Sequence, residues 1–95
     1  MDKRLTKLIN QFARQGLILT PTPKPDQMFI QFPGFRDYGA TVTLEAGEGM
    51  NVTVWESYAG TSIGMFWTAS LKELIPLALL KIVTYDTALA NLALP

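Results

Sequence analysis

The chain has 95 residues, which is enough for one domain built around a single hydrophobic core. It contains neither Cys nor His, so disulfides, Cys/His zinc sites, thiol nucleophiles and imidazole catalysis are excluded. Eight basic residues balance eight acidic ones. Because a nucleic-acid binder needs a basic excess to neutralise phosphates, this balance argues against a nucleic-acid partner.

The surface is expected to be unusually apolar. Hydrophobic residues make up 48% of the chain and charged residues only 17%, below the usual quarter. A small domain has much surface for its volume and normally needs more charge to stay hydrated. The composition therefore predicts that another protein or a second copy of the chain covers part of the surface.

The N-terminal residues predict an amphipathic helix over residues 3–15, which Gly16 ends. Its apolar stripe consists of Leu5, Leu8, Ile9, Phe12 and Ala13. No signal-peptide arrangement precedes it, so a cytoplasmic location is expected. The apolar run 17–19 follows and is compatible with a short strand.

Residues 20–26 read Thr-Pro-Thr-Pro-Lys-Pro-Asp and predict a stiff extended connector. Four strands are predicted next, at about 28–32, 40–46, 50–56 and 63–68. Residues 40–46 and 50–56 alternate between apolar and polar side chains, and Gly47-Glu48-Gly49 joins them as a tight hairpin.

The C-terminal third predicts helix over residues 71–92, packed on the sheet. Ser70 and Glu73 have the spacing of a capping box. Pro76 is expected to kink the helix, and a second helical segment could begin at Asp86. Lys81 and Asp86 lie in the middle of the apolar stretch, which argues against a membrane span.

These elements predict a single α+β domain over residues 1–95, with an N-terminal helix, a four-stranded antiparallel meander and C-terminal helical packing. Val42, Leu44, Val52 and Val54 are expected to face the core. The last strand then contributes either the set Ile63, Met65 and Trp67 or the set Gly64 and Phe66, and the bulkier first set is preferred. The other face would carry Phe29, Gln31, Thr41, Thr43, Glu45, Asn51, Thr53, Trp55, Phe66 and Thr68.

The aromatic residues Phe29, Trp55 and Phe66 on that second face have three interpretations. One helix could cover each face of the sheet, which would make the rings ordinary packing residues. The face could instead be a recognition surface, since interfaces are enriched in aromatic residues among polar neighbours. A sheet-to-sheet homodimer is the third interpretation.

The loop tip Phe35, Arg36, Asp37 and Tyr38 mixes aromatic and charged side chains between two glycines. Such a loop suits contact with a partner, although a solvated turn has the same composition. Glu45 and Glu56 have opposite parity on neighbouring strands, so they do not form an acid–base pair. No glycine-rich turn leads into a helix, and no enzyme activity, metal or cofactor is expected.

The sequence therefore favours a non-enzymatic protein-interaction module, such as a small inhibitor, adaptor or assembly factor, working as a dimer. Chains this compact, with so little chemistry, are typical of small phage or mobile-element proteins. The alternative is a binder of a small ligand or nucleic acid through aromatic residues on the sheet. The predicted partner-binding residues are Phe29, Phe35, Arg36, Asp37, Tyr38, Trp55 and Phe66.

Overall fold

A computed structural model describes residues 3–32, 37–47, 49–56 and 60–93. Helix α1 comes first, five strands follow, and helix α2 ends the described chain. The elements are α1 (Lys3–Ala13), β1 (Ile18–Pro21), β2 (Gln27–Gln31), β3 (Tyr38–Leu44), β4 (Met50–Glu56), β5 (Thr61–Thr68) and α2 (Leu71–Ala93). The predicted α+β architecture is confirmed, with five strands in place of four.

The strands form one antiparallel sheet in the order β1-β2-β3-β4-β5, so each pairs with its neighbours in sequence. The additional strand is β1, which takes two residues that the sequence assigned to the connector, Thr20 and Pro21. It occupies one edge of the sheet, where a proline is tolerated because one side of the strand needs no ladder hydrogen bonds. The turn after it is held by Thr22, whose Oγ1 accepts a hydrogen bond from the Lys24 N–H at 3.2 Å.

Helix α1 ends in a Schellman motif at Gly16. The Leu17 N–H donates to the Phe12 carbonyl at 3.3 Å, and the Gly16 N–H donates to the Ala13 carbonyl at 3.1 Å. Gly16 has a φ of 79°, a left-handed conformation that a side chain would disfavour. The motif turns the chain back along the sheet and directs it into β1.

Helix α2 is one continuous helix of 23 residues that includes Pro76, so no second segment begins at Asp86. Its start differs from the predicted capping box. The Thr68 hydroxyl accepts a hydrogen bond from the Ser70 N–H at 3.0 Å and lies 3.5 Å from Glu73 Oε2. The hydroxyl that contacts the Glu73 carboxylate is therefore that of Thr68, and not that of Ser70 as the capping box predicted. None of the helices in the described residues is long and apolar enough to cross a membrane.

Both helices pack on the same face of the sheet. A single core cluster joins the buried stripe of α1 to that of α2 through alternate residues of the strands. Leu5, Leu8 and Phe12 come from α1, and Leu74, Ala78 and Ile82 come from α2, all at most 1% exposed. The interpretation in which one helix covers each face is therefore wrong.

The preferred orientation of β5 is also wrong. In the β4–β5 register Val52 lies opposite Phe66, and Val54 lies opposite Gly64, so these two residues of β5 face the core. The reason is the close approach of α2, because the Lys81 side chain lies 2.8 Å from where a Cβ on Gly64 would be. A bulky residue at this position would hold the helix away from the sheet. Ile63 alone of the preferred set packs against the core, at the irregularity between Val54 and Trp55.

Candidate interaction surface

The face of the sheet opposite the helices, called here the open face, carries no packed element among the described residues. Its side chains follow the cross-strand register in three rows. The rows are Thr20–Phe29–Thr41–Thr53–Met65, Ile18–Gln31–Gly39–Trp55–Ser62, and Gln27–Thr43–Asn51–Trp67.

Two predicted aromatic residues lie on the open face and are held by their neighbours. The Phe29 ring lies directly over Gly39, where any Cβ would collide with it. The Trp55 indole N–H donates a hydrogen bond to Thr41 Oγ1 at 2.8 Å. Both side chains are half-buried because they lie along the sheet rather than standing away from it.

A third ring, Trp67, lies over Gly49 in the same manner as Phe29 over Gly39. It is nevertheless 59% exposed, because only one side of the indole is covered. Met65, in the adjacent row, is 67% exposed. These two neighbours on β5 are the large apolar residues that the open face presents most fully to solvent.

The rows of the open face contain no acidic or basic residue. Their polar groups are hydroxyls and amides of Thr, Ser, Asn and Gln, and some of them satisfy one another. Gln27 Nε2, for example, donates to Thr43 Oγ1 at 2.9 Å. A surface of this kind exposes apolar area and neutral hydrogen-bonding groups, with no charge to be desolvated on contact.

The open face is bounded on one side by β5, an edge strand whose one partner among the described strands is β4. Its eight residues contain no charge and no proline, two of the features that protect an edge from pairing with another chain, and the irregularity at Ile63 interrupts its register with β4. The opposite edge, β1, is short and ends at Pro21. Of the two edges, β5 is therefore the longer one and the one better suited to pairing with a partner strand. It contains Met65 and Trp67.

The structure separates the residues that the sequence grouped as partner-binding. Phe29 and Trp55 lie on the open face as expected, and Asp37 is exposed in the turn before β3. Phe66 is on the core face and is half-buried there. Phe35 and Arg36 lie outside the described residues.

Tyr38 is a buried residue rather than part of a loop tip. It has the parity of the core residues of β3 and is 7% exposed beneath α2. Its hydroxyl donates to Asp86 Oδ1 at 2.7 Å, and its ring meets Tyr85 edge to face. The hydrogen bond to Asp86, together with burial, raises the pKa of Tyr38 to about 12.

A second tyrosine connects the same region of α2 to the sheet. A hydrogen bond to the Glu56 side chain raises the pKa of the Tyr85 hydroxyl, and burial adds to the shift. Tyr38 and Tyr85 thus link the helix to the beginning of β3 and the end of β4. They anchor α2 at the point beyond which the helix leaves the sheet.

Sequence reasoning missed Met65 and Trp67 because it placed them in the core. The usable signal was Gly64, since a glycine inside a strand marks a close approach by another element. Had α2 been placed over Gly64, parity would have put both large neighbours on the open face.

Comparison with protein-family models, with curated proteins and with solved structures finds no match for this chain.

Proposed function

We propose that the chain is a non-enzymatic protein-interaction module that binds another protein through the open face of its sheet. The observation that carries the proposal is the exposure of Met65 and Trp67 on a face without charge, beside an edge strand that contains no charge and no proline. Interfaces are enriched in Trp, Phe and Met and depleted in Lys, Glu and Asp, which matches this composition.

The chemistry of the face sets the chemistry of the partner. A charged partner surface would lose hydration on contact and gain no ion pair in return. The matching surface is therefore apolar and neutral, with hydrogen-bonding groups opposite the Thr and Asn side chains of the rows. Nucleic acid is disfavoured on the same grounds, because none of the rows offers a cation to a phosphate.

The size of the face sets the strength of the contact. Five strands about 4.8 Å apart and three rows about 6.8 Å apart give a footprint of about 500 Å². A standard interface buries about 800 Å² on each partner. A contact limited to the face is therefore weak and transient, unless the partner also adds a strand along β5.

The test is capture of a partner with matched variants of the chain. The wild-type chain and two variants, Trp67→Ser and Leu92→Ser, are immobilised and exposed to an extract of the native host. Leu92 is 82% exposed on α2 and serves as the control for a lost apolar side chain. The partner is then purified and its affinity for each variant is measured directly.

The proposal expects Trp67→Ser to weaken binding at least about tenfold, and Leu92→Ser to leave it unchanged, since a hot-spot Trp contributes more than about 1–2 kcal/mol. Unchanged binding by Trp67→Ser, with folding intact by circular dichroism, would refute it.

The second candidate is a small-ligand or nucleic-acid binder, and the position of Trp67 is the observation that favours it. An indole lying flat on Gly49 with its other side open is the geometry on which a planar ligand stacks. The chain has two Trp residues, and both lie on the open face, so intrinsic fluorescence reports on it. Quenching by an oligonucleotide that weakens steeply with salt would favour this candidate over the first.

A further inference from the structure

The two helices differ on the side that faces away from the sheet. Opposite its buried stripe, α1 carries Lys3, Lys7 and Asn10, all exposed, as a helix next to solvent should. The outward side of α2 instead carries Leu80 and Val83, which are 60% and 50% exposed. Large apolar side chains exposed on the outward side of a helix, where polar residues are usual, indicate a side that another molecule covers. The outward side of α1 is polar and that of α2 exposes large apolar residues, so the outward side of α2 is a candidate interface.

The exposed residues of that side follow a coiled-coil spacing. Steps of four, three, four and three residues connect the α2 seam, which consists of Pro76, Leu80, Val83, Thr87 and Ala90. This spacing is the heptad pattern that lets two helices pack side by side. All five positions are exposed, and none is charged.

The seam is complementary to itself when a second copy runs antiparallel. Centred between Val83 and Thr87, an antiparallel pair sets Leu80 against Ala90 of the other copy and Val83 against Thr87. The Leu80–Ala90 contact joins a large side chain to a small one, which fills space better than matching large with large, and the Val83–Thr87 contact joins two β-branched side chains of similar size. A parallel pair would leave Ala90 facing Ala90 and would bring two Glu73 carboxylates together at the start of the helix.

Charge and dipoles agree with the antiparallel arrangement. The chain has no net charge, so two copies do not repel each other as wholes. The helix dipoles oppose each other in an antiparallel pair. Asp86 lies beside the seam near the twofold axis, and the hydrogen bond from Tyr38 holds its carboxylate on the side of α2 that faces the sheet.

We infer that α2 is the dimerisation element of this chain and that its seam packs antiparallel against the seam of a second copy. The arrangement is a four-layer stack of sheet, helix, helix and sheet. Because the open face of each copy points away from the seam, the dimer presents two open faces. The inference is independent of the proposed function, which concerns the opposite surface of the molecule.

The seam spans about 21 Å at 1.5 Å per residue, so its contact buries on the order of 400–500 Å² per copy. A shallow depression between α2 and β5 borders it and extends the available surface, with Leu80 and Thr84 in its lining. The total of about 800–1,000 Å² lies below the range of stable specific interfaces and within that of weak ones, so a reversible dimer is expected rather than a permanent one.

Sedimentation velocity of the purified chain over a range of concentrations tests the inference. The wild-type chain is expected to shift from monomer to dimer as concentration rises, and Leu80→Glu combined with Val83→Glu is expected to weaken dimerisation by more than about tenfold. Met65→Glu is the control, because Met65 is 67% exposed on the open face and also gains a carboxylate there. It should leave dimerisation unchanged and abolish capture of the partner.

Two results would overturn the inference: a wild-type chain that remains monomeric throughout, or dimerisation lost in Met65→Glu and retained in the α2 variant. Single cysteines test the direction of the pair, since the chain has none of its own. Thr84→Cys is expected to form an intermolecular disulfide across the antiparallel axis, and Thr87→Cys is not. Efficient cross-linking through Thr87→Cys, or a dimer that neither variant cross-links, would refute the antiparallel seam.

Discussion

Glycines explain where large side chains lie flat on this sheet. Gly39 lies beneath the Phe29 ring, Gly49 beneath the Trp67 indole, and Gly64 beneath the aliphatic part of Lys81. In each case the missing Cβ makes room for a side chain that packs along the sheet. Two of the three contacts are on the open face, so the positions of its rings depend on residues that have no side chain themselves.

We predict that Gly49→Ala displaces Trp67 without unfolding the protein. The atoms nearest to the new methyl group all belong to Trp67, which is free to turn toward solvent. Tryptophan fluorescence is expected to shift to longer wavelength, with a stability change within about 1 kcal/mol.

The control for this prediction is the same substitution in a Trp67→Ala background. There the three atoms nearest to the methyl group are gone, and reduced freedom of the unfolded chain should stabilise the protein by about 0.4–1 kcal/mol. Equal effects of Gly49→Ala in both backgrounds, measured by urea denaturation, would show that the indole does not lie over Gly49.

The hydrogen bond from Tyr38 to Asp86 predicts a stability that declines at high pH. An unfolded tyrosine loses its proton near pH 10, whereas folded Tyr38 keeps it to about 12. Between these values the folded state binds more protons than the unfolded state. The free energy of unfolding should therefore fall as pH rises from 10 to 12, with the full contribution present below 10.

Tyr38→Phe is the variant that tests this decline. It removes the titrating hydroxyl, keeps the ring, and should flatten the pH dependence in that window while lowering stability at neutral pH by about 1–1.5 kcal/mol. Urea denaturation at several pH values gives both quantities. If the free energy of unfolding of Tyr38→Phe falls with pH as steeply as that of the wild-type chain, groups other than Tyr38 cause the decline.

At the scale of elements, α2 packs along its first half and is exposed along its last turns. Leu74, Ala78 and Ile82 are fully buried, and every described side chain from Asp86 onward is exposed. Leu92 lies on the same side of the helix as Leu74, where it continues the core stripe beyond the part of α2 that packs on the core. The end of α2 is thus an arm that the sheet does not support.

We therefore expect alanine substitutions at two leucines of α2 to differ in their effect on stability. Leu74→Ala should cost about 2–5 kcal/mol, because it opens a cavity in the core. Leu92→Ala should cost less than about 0.5 kcal/mol, because its side chain is 82% exposed. Thermal or urea unfolding of both variants checks the pair. A large loss from Leu92→Ala would show that the arm is packed.

The sequence predicted most elements, because each local pattern agreed with the final fold. The β4 bounds, the hairpin after β3 and the helical stop at Gly16 all follow from alternation and turn residues. The inward side of β5 could not be read from alternation. Apolar residues occur at both the odd and the even positions of β5. The packing of α2 on Gly64 decides which of the two sets faces the core.

The site was predictable in part for the same reason. Phe29 and Trp55 share the parity of the threonines on their face, and local alternation is enough to place them. Tyr38 has the parity of Ala40 and Val42, which would have placed it in the core had β3 been extended by two residues. Placing Met65 and Trp67 on the open face requires knowing where α2 packs, and α2 begins only after β5 ends.

At the scale of the whole molecule, both helices cover one face of the sheet, and no element of the described chain covers the other. The molecule is elongated, about 50 Å by 24 Å by 23 Å, and α2 alone contributes about 35 Å of helix. Pairing of two such molecules through α2 would bury the apolar outward side of the helix. It would also place two neutral, aromatic faces on opposite surfaces, which suits an adaptor that joins two partners.

Oxidative footprinting with and without the purified partner tests the central claim most directly, because Met65 and Trp67 carry readily oxidised side chains. The open-face account predicts that the partner lowers oxidation of both residues several-fold and leaves Leu92 as reactive as before. Unchanged oxidation of Met65 and Trp67 in a saturated complex, together with protection elsewhere, would contradict it.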